Sequence, residues 1–214
     1  MPVSDAGHIA AHELGHDAQA AIALLDEAVA AKADGDYVTV GTLLDRLRRT
    51  LERFEQDIER LVANRGGDLE TLQRRPTNLA NLARAVVSAH PTGSHPIELE
   101  CAEVLLNVDP VKVERIIDNL LTNALRYTPP ECPVRIRLSA APTGAELVVE
   151  DEGPGLPEHL CDAIARGDDD PAVFDGATGL WLILRFARLH NGGVTVSRTA
   201  SGGGARFRVW IPAR

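Results

Sequence analysis

Aromatic side chains are scarce in this chain of 214 residues: Phe, Tyr and Trp together make up 4%. With alanine and leucine abundant instead, helix packing on aliphatic seams is expected to dominate the N-terminal part. Cysteine is also rare. Cys101, Cys132 and Cys161 are odd in number, widely spaced and free of any C-x-x-C pair, which excludes a disulfide framework and a thiolate zinc site and predicts reduced thiols. No apolar run approaches the roughly 20 residues that cross a bilayer, and no basic stretch leads into a signal core. The expectation is a soluble, cytoplasmic chain with no membrane segment. Positive charge is in deficit, with Lys+Arg 22 against Asp+Glu 31 and a formal net charge of −9. Such a surface repels phosphate backbones, so nucleic acid is not an expected partner, while a basic protein surface is.

What is present suffices for real cores, since 44% of the residues are hydrophobic, and the length fits one large or two small domains. Residues 6–33 keep Leu14, Ala18, Ala21, Leu25 and Ala28 at intervals of four and three. After the breaker Ala33-Asp-Gly-Asp36, the same alternation runs through Val40, Leu44, Leu47, Leu51, Phe54, Ile58 and Leu61. This heptad seam predicts two helices in an antiparallel hairpin. One hairpin has little core of its own. Two copies pairing into a dimeric four-helix bundle are the expectation, with packing on the chain's own C-terminal part as the alternative.

Arg65-Gly-Gly-Asp68 marks a boundary, dividing the chain into a helical part, 1–66, and a second domain, 67–214. Beyond an extended segment, Leu69–Arg75, a helix is expected over Pro76–Ala89 with Thr77 or Asn78 as its cap. Strands are expected at Ile97–Glu100, Val104–Leu106, Val134–Leu138, Glu146–Glu150, Gly193–Ser197 and Ala205–Trp210, with helices ending before Pro129 and over Gly179–His190. Strands and helices interleave without regular βαβ repeats. The fold class is therefore α+β, with a mixed sheet carrying helices on one face behind the helical hairpin.

Three motifs in the second domain carry chemistry. Asn119 and Asn123 stand four apart on one helical face, opposite the apolar Ile116, Ile117, Leu120, Leu121, Ala124 and Leu125, so their amide oxygens can converge. A neutral amide oxygen suits magnesium that is held mainly by phosphate and water. Asp151 leaves a strand into Gly153-Pro-Gly155, where glycines admit a planar ligand and the carboxylate can accept from an exocyclic amine; a plain turn has the same sequence. Gly176-Ala-Thr-Gly179 precedes an apolar helix, offering backbone N–H groups to phosphate, or simply a cap through Thr178. Arg126 is placed to meet phosphate or solvent, and Tyr127 to stack on a base or close the sheet core.

His12-Glu-Leu-Gly-His16 fits a different pattern, HExxH, in which two histidines on one helix face bind zinc and Glu13 activates a metal-bound water. The extended form of that motif fails, because Gln19 and Ile22 stand where glycine and histidine belong. A zinc metalloprotease is thus a minor alternative that leaves the C-terminal motifs unexplained.

In order, Asp109-Pro110, Asn119-Leu-Leu-Thr-Asn123-Ala-Leu-Arg-Tyr-Thr128, Asp151-Glu-Gly-Pro-Gly155, Gly176-Ala-Thr-Gly179-Leu and His190-Asn-Gly-Gly193 resemble the catalytic ATP-binding domain of bacterial sensor histidine kinases, a superfamily shared with gyrase, the Hsp90 chaperone and the mismatch-repair ATPases. The resemblance covers residues 76–214, and the hairpin at 6–64 is similar to the same kinases' dimerisation and histidine phosphotransfer domain. It implies that Asn119 and Asn123 face Mg2+ and phosphates, Arg126 the phosphate tail, Tyr127 the base and Asp151 the adenine amine. Gly153, Gly155, Gly176, Thr178 and Gly179 would shape the pocket and lid. Ala11-His12-Glu13-Leu14 is similar to the phosphoacceptor box, with His12 as nucleophile and Glu13 orienting the ring or taking its proton. The function implied is transfer of the ATP γ-phosphate to His12 and then to an aspartate of a response regulator receiver domain, by a homodimer that works with a sensor on the same or a separate protein. The alternative is a non-catalytic phosphotransferase or adaptor on the same fold.

Three departures from that family stand out. Gly15, His16 and Asp17 follow the box where a basic residue, threonine or asparagine, and proline are usual, which removes the expectation of phosphatase activity. Trp181 interrupts the second glycine box and is expected to crowd the phosphates or shift the helix start. The lid Leu156–Asp175 is short, carries three aspartates at 168–170 and keeps Phe174 alone of an aromatic pair.

Overall fold

The computed structural model describes residues 4–64, 71–90, 95–168, 170–174, 176–199 and 203–213; the side chains of residues 4–17, 49 and 52–64 lie outside the described set. The chain forms two compact units, Met1–Gly66 and Gly67–Arg214.

In the first unit, helix α1 (Ser4–Ala33) and helix α2 (Tyr37–Asn64) pack against each other. The turn between them follows from two residues. Gly35 takes the left-handed φ of 76° that closes α1, and Asp36 caps α2 by accepting the Thr39 N–H at 3.1 Å. Of the described seam positions, Ala21 and Ala28 are buried, whereas Leu25, Leu44 and Leu51 are about half exposed; on α2 the buried residue is Leu43, one position off the expected seam residue Leu44. Two helices alone bury a narrow stripe, and small alanines fill it.

The second unit begins with strand β1 (Arg75–Asn78), antiparallel to β3 (Leu105–Val108) in a two-stranded ribbon. Pro76 therefore lies in a strand rather than opening the next helix. An edge ribbon tolerates its missing N–H. Helix α3 (Leu79–Ala89) starts instead at Asn78, whose side chain accepts from the N–H groups of Ala80 and Asn81 at 3.0 and 3.2 Å.

The main sheet has the order β2-β4-β5-β7-β6, from β2 (Ile97–Cys101), β4 (Val134–Ala141), β5 (Gly144–Glu150), β6 (Gly193–Arg198) and β7 (Ala205–Pro212). The β2–β4 pair is parallel and the rest antiparallel, so the sheet is mixed as expected. Its inner face, with Val134, Ile136, Leu147 and Val209, is covered by helices α4 (Pro110–Tyr127) and α6 (Thr178–Leu189). The other face is charged. Arg135 pairs with Glu98 at 3.0 Å, Arg137 with Glu100 at 2.9 Å, Arg206 with Glu150 at 2.9 Å and Arg208 with Glu146 at 3.3 Å. Alternation with period two puts these pairs outside and the aliphatics inside, giving two layers.

Candidate nucleotide-binding site

Helix α4 is the wall on which the site is built. Asp109 and Pro110 start it: the Asp109 carboxylate accepts the N–H groups of Val111 and Lys112 at 3.1 and 3.2 Å, and proline occupies the first turn. Ile116, Ile117, Leu120 and Leu121 are buried, which turns Asn119 and Asn123 to the opposite, half-buried side.

Asn119 is held by its own helix, Nδ2 donating to the Arg115 carbonyl at 2.8 Å. Its Oδ1 faces the start of α6: a Cβ placed on Gly179 would lie 2.7 Å from that oxygen. Gly179 is thus a glycine because of Asn119. Ala177, not Thr178, is the N-cap of α6, and no side chain caps the helix; Thr178 is a buried residue of the first turn. The expected cap fails because Thr178 already has helical backbone, while the N–H groups of Leu180 and Trp181 bond to the Ala177 carbonyl at 3.0 and 3.2 Å. By helix geometry this leaves the N–H groups of Thr178 and Gly179 without intrahelical acceptors. Trp181 is buried, 8% exposed, in a helix that starts at Thr178, one residue before the expected Gly179.

The far end of α4 meets the Asp151 loop. A Cβ on Gly153 would lie 2.8 Å from the Tyr127 carbonyl oxygen. Asp151 is 7% exposed, and its Oδ1 accepts the N–H groups of Gly153 at 2.8 Å and Ala205 at 3.0 Å. Oδ2 takes part in neither bond. At the same corner the Thr128 hydroxyl is buried without a hydrogen-bond partner among the described residues. Tyr127 is 55% exposed and does not close the sheet core; Arg126 is exposed. Asn119, Asn123 and Tyr127 follow one another at intervals of four, which keeps them on one stripe of α4 over about 12 Å of helix and suits an elongated ligand.

At the two ends of the lid, Gly155 and Gly176 have left-handed φ values of 78° and 77°. Helix α5 (Glu158–Arg166) stops at Gly167, also left-handed, and a 3-10 turn, Pro171–Phe174, seats Phe174 with no exposure. Two of the lid's acidic residues serve local ends. Asp168 pairs with Arg166 at 2.9 Å, and Asp170 accepts the Ala172 N–H at 2.9 Å. His12 and Glu13 fall on α1, and their side chains lie outside the described residues, as do the histidines of the HExxH reading.

Two further groups went unread in the sequence. Gly204 lies so close to Asp151 that a Cβ would sit 1.7 Å from the Asp151 carbonyl oxygen; the glycine run 202–204 before β7 was its only local signal. The second is a set in which the backbone of the exposed Gln73 joins the buried Asp109, Lys112 and His190. His190 has no exposure; its Nε2 accepts the Asp109 N–H at 3.0 Å, and its Nδ1 donates to the Phe186 carbonyl at 2.7 Å. Burial pushes His190 below its usual value, so the ring is neutral.

A two-layer α/β unit with a five-stranded mixed sheet defines the class. The chain belongs to the histidine kinase-, DNA gyrase B- and HSP90-like ATPase family, whose profile matches residues 108–214. It is 34% identical over 188 residues to the probable sensor histidine kinase TcrY of Mycobacterium tuberculosis, covering 83% of this chain and 39% of that protein. Sensor protein kinase PmrB of Pseudomonas aeruginosa is 32% identical over 177 residues, covering 78% and 37%. The chain thus spans less than two-fifths of the length of these curated relatives. Among solved structures, Acinetobacter baumannii histidine kinase AdeS has the same fold, with a TM-score of 0.61 at 19% identity over 93% of this chain and 98% of that one.

Proposed function

We propose that this chain is the transmitter core of a two-component histidine kinase that binds ATP in its C-terminal unit and phosphorylates His12. The observation that carries the reading is the shared wall: along α4, Asn119 meets the uncapped start of α6 at Gly179, and Tyr127 meets the Asp151 loop at Gly153. The glycines at these points let α4 approach both loops more closely than a Cβ would allow, and the uncapped start of α6 and the unpartnered Thr128 hydroxyl beside the Asp151 loop leave polar groups that fit a nucleotide. Asp151 Oδ2 would accept from the adenine amine, and Tyr127 would lie on the base. The N–H groups of Thr178 and Gly179 and the guanidinium of Arg126 would hold phosphate, with Gly155 and Gly176 flanking the lid.

Among the described residues no three His, Cys, Asp or Glu side chains cluster as a metal site. A magnesium ion would therefore be held by phosphate, water and the amide oxygens of Asn119 and Asn123, and would supply charge neutralisation. His12 attacks the γ-phosphorus through a neutral ring nitrogen; a P–N bond forms, the bond to the β–γ bridging oxygen breaks, and ADP leaves. Glu13 orients the ring or takes its proton. The phosphoryl group passes next to a receiver-domain aspartate. A second copy completes the four-helix bundle, and the apolar stripe Ile22, Leu25 and Val29, each about half exposed or more, supports this. In this reading the N-terminal unit is the dimerisation and phosphotransfer domain, and the chain works in the cytoplasm.

Incubation with γ-labelled ATP and magnesium tests the whole. Wild type is expected to carry an acid-labile label that His12→Ala and Asn123→Ala lack. A wild type that neither binds nucleotide nor takes up label would leave only an adaptor.

A further inference from the structure

The chain enters its C-terminal unit through residues 71–74, just ahead of β1, and there a backbone group reaches the buried set around Asp109. The Gln73 N–H donates to Asp109 Oδ2 at 2.8 Å. Asp109, 2% exposed, also takes the Lys112 ammonium at 3.1 Å on Oδ2 and the two capping N–H groups on Oδ1. The Asp109 N–H is bound by His190, the residue that ends α6. One carboxylate thus gathers the incoming segment and the first turn of α4, and its own backbone fastens the end of α6.

The same two helices meet again where the nucleotide is proposed to bind, Asn119 of α4 against Gly179 of α6. That contact is close, since a carbon on Gly179 would be 2.7 Å from Asn119 Oδ1. The two helices pack against each other along their length, so a shift of α4 on α6 at the Asp109 end is carried to the phosphate end, as packed helices move as bodies.

We propose that Gln73 N–H, Asp109 and His190 form a positioning latch, through which the docking of the incoming segment sets the register of α4 on α6 and hence the affinity for nucleotide. With Gln73 docked, Oδ2 is shared between the peptide N–H and the ammonium, and Oδ1 stays on the cap. With Gln73 lifted, the carboxylate is free to turn towards Lys112, and the cap loosens. None of these residues touches the nucleotide. This proposal rests on the ATP-site reading above.

The test uses the full chain and two variants at one position. Gln73→Pro removes the N–H from the latch, while Gln73→Ala keeps it. Without nucleotide, the amides of Val111 and Lys112 are expected to exchange about tenfold faster in Gln73→Pro and as in wild type in Gln73→Ala. The KM for ATP in His12 labelling is expected to rise about fivefold in Gln73→Pro, with the maximal rate within about twofold. Equal exchange in all three proteins overturns the latch, and faster exchange with an unchanged KM overturns its positioning role. A wild type that binds no nucleotide overturns the ATP-site reading and the positioning claim together, while the exchange rates still decide whether the latch exists. Should Gln73→Pro fail to fold, His190→Gln, which keeps an acceptor and a donor, is expected to hold the wild-type KM and His190→Leu to raise it. Equal KM in those two overturns the proposal.

Discussion

Replacing Gly179 with alanine should separate stability from nucleotide binding. The new methyl would sit 2.7 Å from Asn119 Oδ1 and 3.5 Å from its Cγ. Carbon–oxygen contacts are comfortable from about 3.3 Å, so the overlap is roughly 0.6 Å. The clashing atom is the far end of a side chain, and turning the carboxamide relieves it without moving the backbone. That turn breaks the 2.8 Å bond from Nδ2 to the Arg115 carbonyl. The bond contributes about 1 kcal/mol, which the gain from alanine over glycine in a helix, also up to about 1 kcal/mol, offsets. The urea unfolding free energy should stay within about 1 kcal/mol of wild type. Binding should not. An amide oxygen lost to a phosphate-bound cation costs about 1.5–3 kcal/mol, or roughly ten- to a hundredfold in affinity. The check is the rise in thermal midpoint on adding an ATP analogue with magnesium, which should shrink accordingly. An unchanged rise, or a destabilisation well beyond this balance, would refute the reasoning.

Asp151→Asn should keep the fold, since its amide oxygen can still accept from Gly153 and Ala205, yet it opposes a donor to the adenine amine; nucleotide titration should show about a tenfold loss or more, and equal affinity would remove Asp151 from base recognition. Acid should weaken the C-terminal unit in a defined window. Burial holds the folded His190 below its usual value, so the unfolded chain takes up the proton first. His190's contribution to stability is whole above about pH 6.5 and falls below it by up to about 1.4 kcal/mol per pH unit, until the folded ring itself protonates. Burial pushes Asp109 up, but the N–H of Gln73 and the N–H and ammonium of Lys112 outweigh it and hold the carboxyl below its usual range. Its contribution persists to lower pH and is lost only below about pH 3.9. Urea unfolding at pH 7.5, 6 and 5 checks this; His190→Gln should flatten the upper part, and a slope unchanged by that variant would acquit the histidine.

Local pattern carried much of the fold. The strict alternation of Val134–Leu138, the Asp109-Pro110 start of α4 and the polar turn at Ala33–Asp36 each state their structure within a few residues. Pro76 misled because the helix after it and the strand containing it share a short window, and only pairing with β3, some thirty residues on, decides between them. Thr178 misled because a threonine before a helix and one inside its first turn look alike in sequence. The glycines of the candidate site were legible as glycines, but their reasons were not: Gly179 answers to Asn119, and Gly204 to Asp151, across long stretches of chain. Asp109 and His190 stood among the motifs, but the set that joins them to Gln73 was not legible, for a like cause. Its key donor is a backbone N–H, which carries no residue identity at all.

The position of β7 has a consequence for biosynthesis. It is laid between β5 and β6, and Ala205 at its start supplies one of the two N–H groups that hold Asp151. While a ribosome is still short of residue 205, β6 has no neighbouring strand and the aspartate loop is half anchored. The site closes late, with a long-range pairing of the slow kind, and a product truncated before Ala205 is expected to be a substrate for chaperones and proteases rather than a weak enzyme.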